Sequence, residues 1–189
     1  AHVAVRDLDA CVYDHLTSGS WNDRDRTMAE WDRWAWLGAD AIRRHPDFPE
    51  PLIVELDTTK GCVRYVNGGC SFCIEPLYGI TRFRPLDGIL AEVQRLAALG
   101  AVNFRLGGQA DFFSYQALGL GRSPTPQINV PALESLLLGI HEAAPRLKVL
   151  HTDNGDPAMI VAHPGEAAEA LRLLVRYASP GNLLSFGLE

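Results

Sequence analysis

With 189 residues, 47% of them hydrophobic, the chain is long enough for one well-buried domain with an appendage. A formal net charge of -6 argues against a broad basic surface for nucleic-acid backbones, and no apolar run reaches the roughly 18 residues that cross a bilayer. Four cysteines, three of them clustered, are too few for a disulfide scaffold, which points to a reducing, cytoplasmic setting.

The first fifty residues read differently from the rest. From Asp23 to Arg44, the residues Met28, Trp31, Leu37, Ala41 and Ile42 recur among charges with helical spacing, predicting one amphipathic helix or two short ones ended by His45-Pro46. Trp21, Trp31, Trp34 and Trp36 read as packing residues, and Cys11 as a small buried one. Residues 1–50 are therefore expected to form a helical segment or linker, and residues 51–189 an α/β unit.

From Leu52 onward strands and helices alternate. Leu52 to Leu56 predicts a strand, and Leu86 to Leu99 an amphipathic helix closed by Gly100. Val102 to Leu106 predicts the second strand, Pro131 to Ala144 the second helix, Leu147 to Thr152 the third strand, Gly165 to Tyr177 the third helix, and Leu183 to Leu188 the fourth strand. Connections of this length imply a parallel sheet, and four units are only part of a (β/α) barrel. A strand so close to Glu189 leads us to expect a piece of a longer protein. The polar and glycine clusters fall after strand ends, where parallel sheets bind ligands: Cys62 to Cys73, Gly107-Gly108-Gln109, and Asp153-Asn154-Gly155-Asp156.

Cys62, Cys70 and Cys73 lie within twelve residues, in the loop after the first strand. The Cys-x2-Cys pair can turn two thiolates to one centre, while Gly68 and Gly69 relax the backbone so that Cys62 swings in. Three thiolates leave one position of a 4Fe–4S cluster open to a small molecule. The alternative is a structural zinc site completed by a histidine such as His45, which would make the chain a non-catalytic zinc- or cluster-binding interaction module.

Cys70-Ser71-Phe72-Cys73 resembles the second half of the Cys-x3-Cys-x2-Cys signature of the radical S-adenosylmethionine superfamily; seven residues rather than three separate Cys62 from Cys70. Gly107-Gly108-Gln109 is similar to the family's Gly-Gly-Glu segment, which contacts the methionine amino group of the cofactor. Ser185 to Glu189 resembles its fourth-strand segment near the cofactor's ribose and carboxylate. A closer resemblance is to an uncharacterised group of such enzymes, carried by His45 to Pro49, Gly68 to Pro76 and Phe104 to Asp111. A cobalamin-type domain can precede the barrel there, which would make residues 1–44 its tail and a linker.

The resemblance implies a partial radical enzyme barrel whose Cys62, Cys70 and Cys73 hold a 4Fe–4S cluster. S-adenosylmethionine would bind its open iron and be reductively cleaved to start radical chemistry on an unknown substrate. An electron donor such as a flavodoxin or ferredoxin is implied as a partner. Phe72 would pack on adenine, with Gly107, Gly108, Gln109, Ser185 and Glu189 around the cofactor. Asp153 and Asn154 read equally as ligand contacts or as a turn before a helix. Arg105, if inward, needs a partner among Glu55, Asp57 or a cofactor carboxylate. Glu75 is placed to orient the loop, Phe112, Phe113 and Tyr115 to form a lid or core, and His141 and His163 to pack or face solvent.

Overall fold

The computed structural model describes residues 3–187. The chain opens with α1 (Leu8–Ser18), held at its start by Asp7 and closed by Gly19, whose left-handed backbone (φ 75°) sends its N–H to the His15 carbonyl. The sequence pattern did not predict this helix, because it buries little beyond Ala10 and Cys11. α2 (Met28–Gly38) starts with a reciprocal cap: Thr27 Oγ1 accepts from the Glu30 amide, and the Glu30 carboxylate accepts from the Thr27 amide. A 3₁₀ turn, Ala39–Arg44, follows, so of the two expectations for 23–44 the structure has the two short pieces, beginning at Met28.

β1 (Val54–Asp57) leads into β2 (Thr59–Lys60), and the cysteine loop returns through β3 (Arg82–Phe83), antiparallel to β2. The loop is therefore the crown of a small hairpin. α3 (Leu86–Leu99) ends at Gly100, with φ 114°. β4 (Asn103–Gly108) runs two residues beyond the expected strand, so Gly107 and Gly108 are its last rungs. α4 (Val130–Ala143) is capped by the Asn129 side chain and has Pro131 in its first turn. β5 (Val149–Thr152) passes through Asp153 into β6 (Asn154–Gly155). A short α5 (Pro157–Ala162), absent from the expected pattern, precedes α6 (Pro164–Tyr177). β7 (Ser185–Phe186) pairs in parallel with β6 rather than with β5, so the expected fourth strand is a two-rung ladder; Leu188 lies outside the described residues.

The main sheet is parallel with order β1-β4-β5, in register Val54 with Phe104 and Phe104 with Leu150. Leu56, Phe104, Leu106 and Leu150 face one side, where α3 supplies Ile89, Val93 and Leu96 and α4 supplies Leu133, Leu136, Leu137 and Ile140. Ala167, Ala170 and Leu174 of α6 complete that layer. The opposite side carries Glu55 and Arg105, both largely exposed, and no closed barrel forms among the described residues. The molecule is thus mixed α/β, with a small parallel sheet covered by helices on one face. Among the described residues no helix is long and apolar enough to cross a membrane.

The N-terminal helices join this layer through Arg84, which is 1% exposed. Its guanidinium donates to Asp32 of α2 (3.0 Å), Glu92 of α3 (2.7 Å) and the Asp57 carbonyl (3.0 Å). Trp31 lies under Arg84 and Arg26, 5.6 and 4.1 Å from ring centre to guanidinium carbon. Trp34 packs on Tyr13 with centroids 5.5 Å apart, and the Trp21 ring N–H reaches the Val3 carbonyl, as packing residues should.

Candidate functional site

At the C-terminal ends of β1 and β4 the chain encloses a cavity of about 760 Å³. Cys62, Cys70 and Cys73 line it from the hairpin loop, and Gly107, Gly108 and Gln109 from the end of β4. Asn154 and Ser185 to Gly187 line the far side. Residues from all three strand-end clusters marked in the sequence therefore meet at one place, together with the segment that begins at Ser185.

Local geometry explains the loop's glycines. Gly68 and Gly69 both have positive φ (88° and 67°), and a Cβ at Gly69 would lie 2.0 Å from Pro76 Cγ, so no side chain fits there. Beyond them, the Cys73 amide donates to the Cys70 carbonyl (3.1 Å) in a tight turn. The Glu75 carboxylate accepts the Gly61 amide (2.8 Å), fixing the loop's start against its end, the orienting role expected of it. Arg64 Nη1 donates to Cys70 Sγ (3.5 Å). Burial pushes the Cys62 thiol up, and Asp111, Cys70 and Cys73 are near enough to add to the rise. None of the four cysteines is in a disulfide. Among the described residues no three of His, Cys, Asp and Glu converge as a preformed site for a single metal ion.

The other predicted residues separate into two groups. Phe72 stands at the mouth of the cavity, 74% exposed. Gln109 has its side chain fully engaged: Oε1 accepts from Thr58 Oγ1 (3.1 Å), and Nε2 donates to Thr152 Oγ1 (2.8 Å) and to the Leu106 carbonyl (3.2 Å). It ties the ends of β1, β4 and β5 together, and its own amide donates to the Gly107 carbonyl (2.8 Å). Asn154 Nδ2 donates to the Gln109 carbonyl (3.4 Å). Asp153 is not part of the lining; its carboxylate grips Arg105, which also reaches Glu55 (3.5 Å). Of the partners expected for an inward Arg105, only Glu55 is met; the side chain is exposed, and Asp153 was not among those expected. Glu189 lies outside the described residues.

Several lining residues carried no predicted role. Asp7, Arg26 and Trp31 come from the N-terminal segment. Asp7 is buried, accepts from Lys60 Nζ and the Arg26 amide, and pairs with Arg82 (3.3 Å), so it clasps the hairpin that bears the cysteines. Asp111 is also buried; desolvation raises its carboxyl from the ordinary range to about 7, against amide hydrogen bonds from Asp156 and Phe113 that pull it down. An acidic residue just past Gly107-Gly108-Gln109 was the available signal for Asp111; nothing in the N-terminal pattern marked Asp7.

The chain is 39% identical to an uncharacterised protein of Methanocaldococcus jannaschii over 99% of its length, and 41% identical to an uncharacterised protein of Archaeoglobus fulgidus over 82%. It spans only 35% and 28% of those relatives. It is also 35% identical, over 49% of its length and 17% of the relative's, to a tRNA-2-methylthio-N(6)-dimethylallyladenosine synthase of Roseiflexus sp.. No protein-family model matches it, and no solved structure does. Its strong likeness is thus to uncharacterised archaeal proteins about three times as long.

Proposed function

We propose that the chain is the cluster- and cofactor-binding part of a radical S-adenosylmethionine enzyme, with residues 51–189 as the first strands of a partial (β/α) barrel and residues 1–50 as a helical lead-in. The observation that carries this reading is the meeting of Cys62, Cys70 and Cys73 with Gly107, Gly108 and Ser185 around one cavity at the C-terminal edge of parallel strands. The partial likeness to a tRNA-2-methylthio-N(6)-dimethylallyladenosine synthase supports it. A parallel sheet is ordinarily covered on both faces, and the charged face bearing Glu55 and Arg105 is what a barrel would turn inward.

The three cysteines would hold a 4Fe–4S cluster. Their donor chemistry fits: cysteine thiolates are the usual ligands of such irons, and all three sulfur-bearing residues line the one cavity. With S-adenosylmethionine bound, such a cluster would supply reductive cleavage of the sulfonium, with electrons from a donor such as a flavodoxin or ferredoxin.

The chain's own residues then bind and orient. Arg64 donates to Cys70, and Glu75 holds the loop. Gly107 and Gly108 would offer backbone to the cofactor, Gln109 would brace them through its side chain, and Asn154 and Ser185 would offer polar side chains; Glu189, expected at the same end, falls outside the described residues. Phe72 closes over a nucleoside from its exposed position, gaining apolar burial. Asp153 acts by holding Arg105.

Anaerobic reconstitution with iron and sulfide tests this. About four irons per chain, a visible charge-transfer band perturbed by S-adenosylmethionine, and loss of both in Cys62→Ala, Cys70→Ala and Cys73→Ala are expected. Stoichiometric zinc with no iron cluster would overturn it.

A further inference from the structure

Asp111 sits on the cavity wall, just past the end of β4, with one carboxylate oxygen used and the other unused. Oδ1 accepts from the Phe113 amide (3.2 Å) and the Asp156 amide (2.8 Å), tying the end of β4 to the start of α5. Oδ2 is buried and has no hydrogen-bond partner, because the neighbouring Ser114 hydroxyl donates to the Asp111 backbone carbonyl (2.8 Å). The residue is only 3% exposed, and a buried carboxylate oxygen with nothing to bond is costly unless something fills the gap.

The cations lining the cavity are engaged elsewhere. Lys60 is held by Asp7, Arg26 pairs with Asp9 and lies over Trp31, and Arg64 lies beside Cys70. Asp156 lies beside Asp111 and adds negative charge there, which favours a donor over another acceptor at Oδ2.

We infer that Asp111 is a ligand-contacting residue whose Oδ2 accepts a hydrogen bond from an N–H donor, an amine or ammonium, on the molecule held in the cavity. The inference rests on the proposed function in that S-adenosylmethionine, which carries an ammonium and an adenine amine, is the molecule used to test it. Asn at this position keeps an oxygen for the two amides while replacing the accepting oxygen by a donor.

Equilibrium dialysis of the reconstituted chain against S-adenosylmethionine and against 5′-methylthioadenosine, which lacks the ammonium, compares wild type with Asp111→Asn. Expected is weakening on the order of tenfold or more, with a melting temperature not below that of wild type. Weakening toward S-adenosylmethionine alone assigns the ammonium as donor; weakening toward both assigns the adenine amine. Equal binding by the variant overturns the inference and leaves the cofactor reading standing. A wild type that takes up neither molecule overturns both. If the variant does not fold, the structure of the wild-type complex decides: a ligand nitrogen within hydrogen-bond distance of Oδ2 supports the inference, and only water there overturns it.

Discussion

Gln109 occupies the place where the resembling family has glutamate, and its side chain shows why an acid would be unwelcome. Nε2 donates to the Leu106 carbonyl and to Thr152 Oγ1 in a buried setting. Gln109→Glu would set a carboxylate oxygen against a carbonyl, costing about 2–3 kcal/mol and lowering the melting temperature by roughly 4–12 °C. A thermal melt measures this directly. The sequence placed Gln109 at a strand end, and the resemblance implied a cofactor contact there, but the destination of its amide depends on Thr58 and Thr152, 51 and 43 residues away, which no local pattern reveals. Asp111 gives a pH signature. Its folded-state carboxyl, at about 7, lies above the unfolded value, so the stability it contributes is full below about pH 4 and is lost as pH rises through 7. Asp111→Asn lacks this loss, and its melting temperature should gain on wild type between pH 4 and pH 7, as paired melts across that range would show.

Among the elements, the union of α2 with α3 depends on one arginine and one glycine. Arg84 is the sole cation bridging Asp32 and Glu92 among the described ion pairs, and a Cβ at Gly88 would lie 2.2 Å from Asp32 Oδ1. Burial already pushes the Glu92 carboxyl up, with Arg84 pulling it back. Arg84→Met would leave both acids without their partner at a cost of about 3–5 kcal/mol, a fall of roughly 6–20 °C by calorimetry. Gly88→Ala acts on the same joint from the other side and should also lower the melting temperature. Legibility at this scale followed length and periodicity. α3, α4 and α6 are fourteen residues each with clear apolar faces, and their sequence patterns located them within a residue or two. α1 buries two residues and α5 has six in all, too little to register as a stripe. Arg84 itself passed unnoticed, because a lone arginine between a strand and a helix carries no mark of burial.

For the whole molecule, the ladder order dictates where stability is greatest. β4 is paired on both sides, while β7 has only the two rungs it shares with β6. Amide hydrogen exchange should therefore be slowest at Phe104 to Leu106 and fastest at Ser185 and Phe186. Uniform protection across the ladders would contradict this organisation. The α/β alternation and the cavity's position at strand ends were legible because parallel connections and glycine clusters leave strong traces. The share of the cavity contributed by the first fifty residues was not, because Asp7, Arg26 and Trp31 reach it only through tertiary packing.

Asp7 holds Lys60, Arg82 and the Arg26 amide at once, and with them the hairpin that carries the sulfurs. The opening helices consequently serve as masonry for the chamber. Shortening the protein from its front would strip side chains from one wall and strand two positive charges beside the loop, so a trimmed version should take up iron and small molecules less well than one left whole.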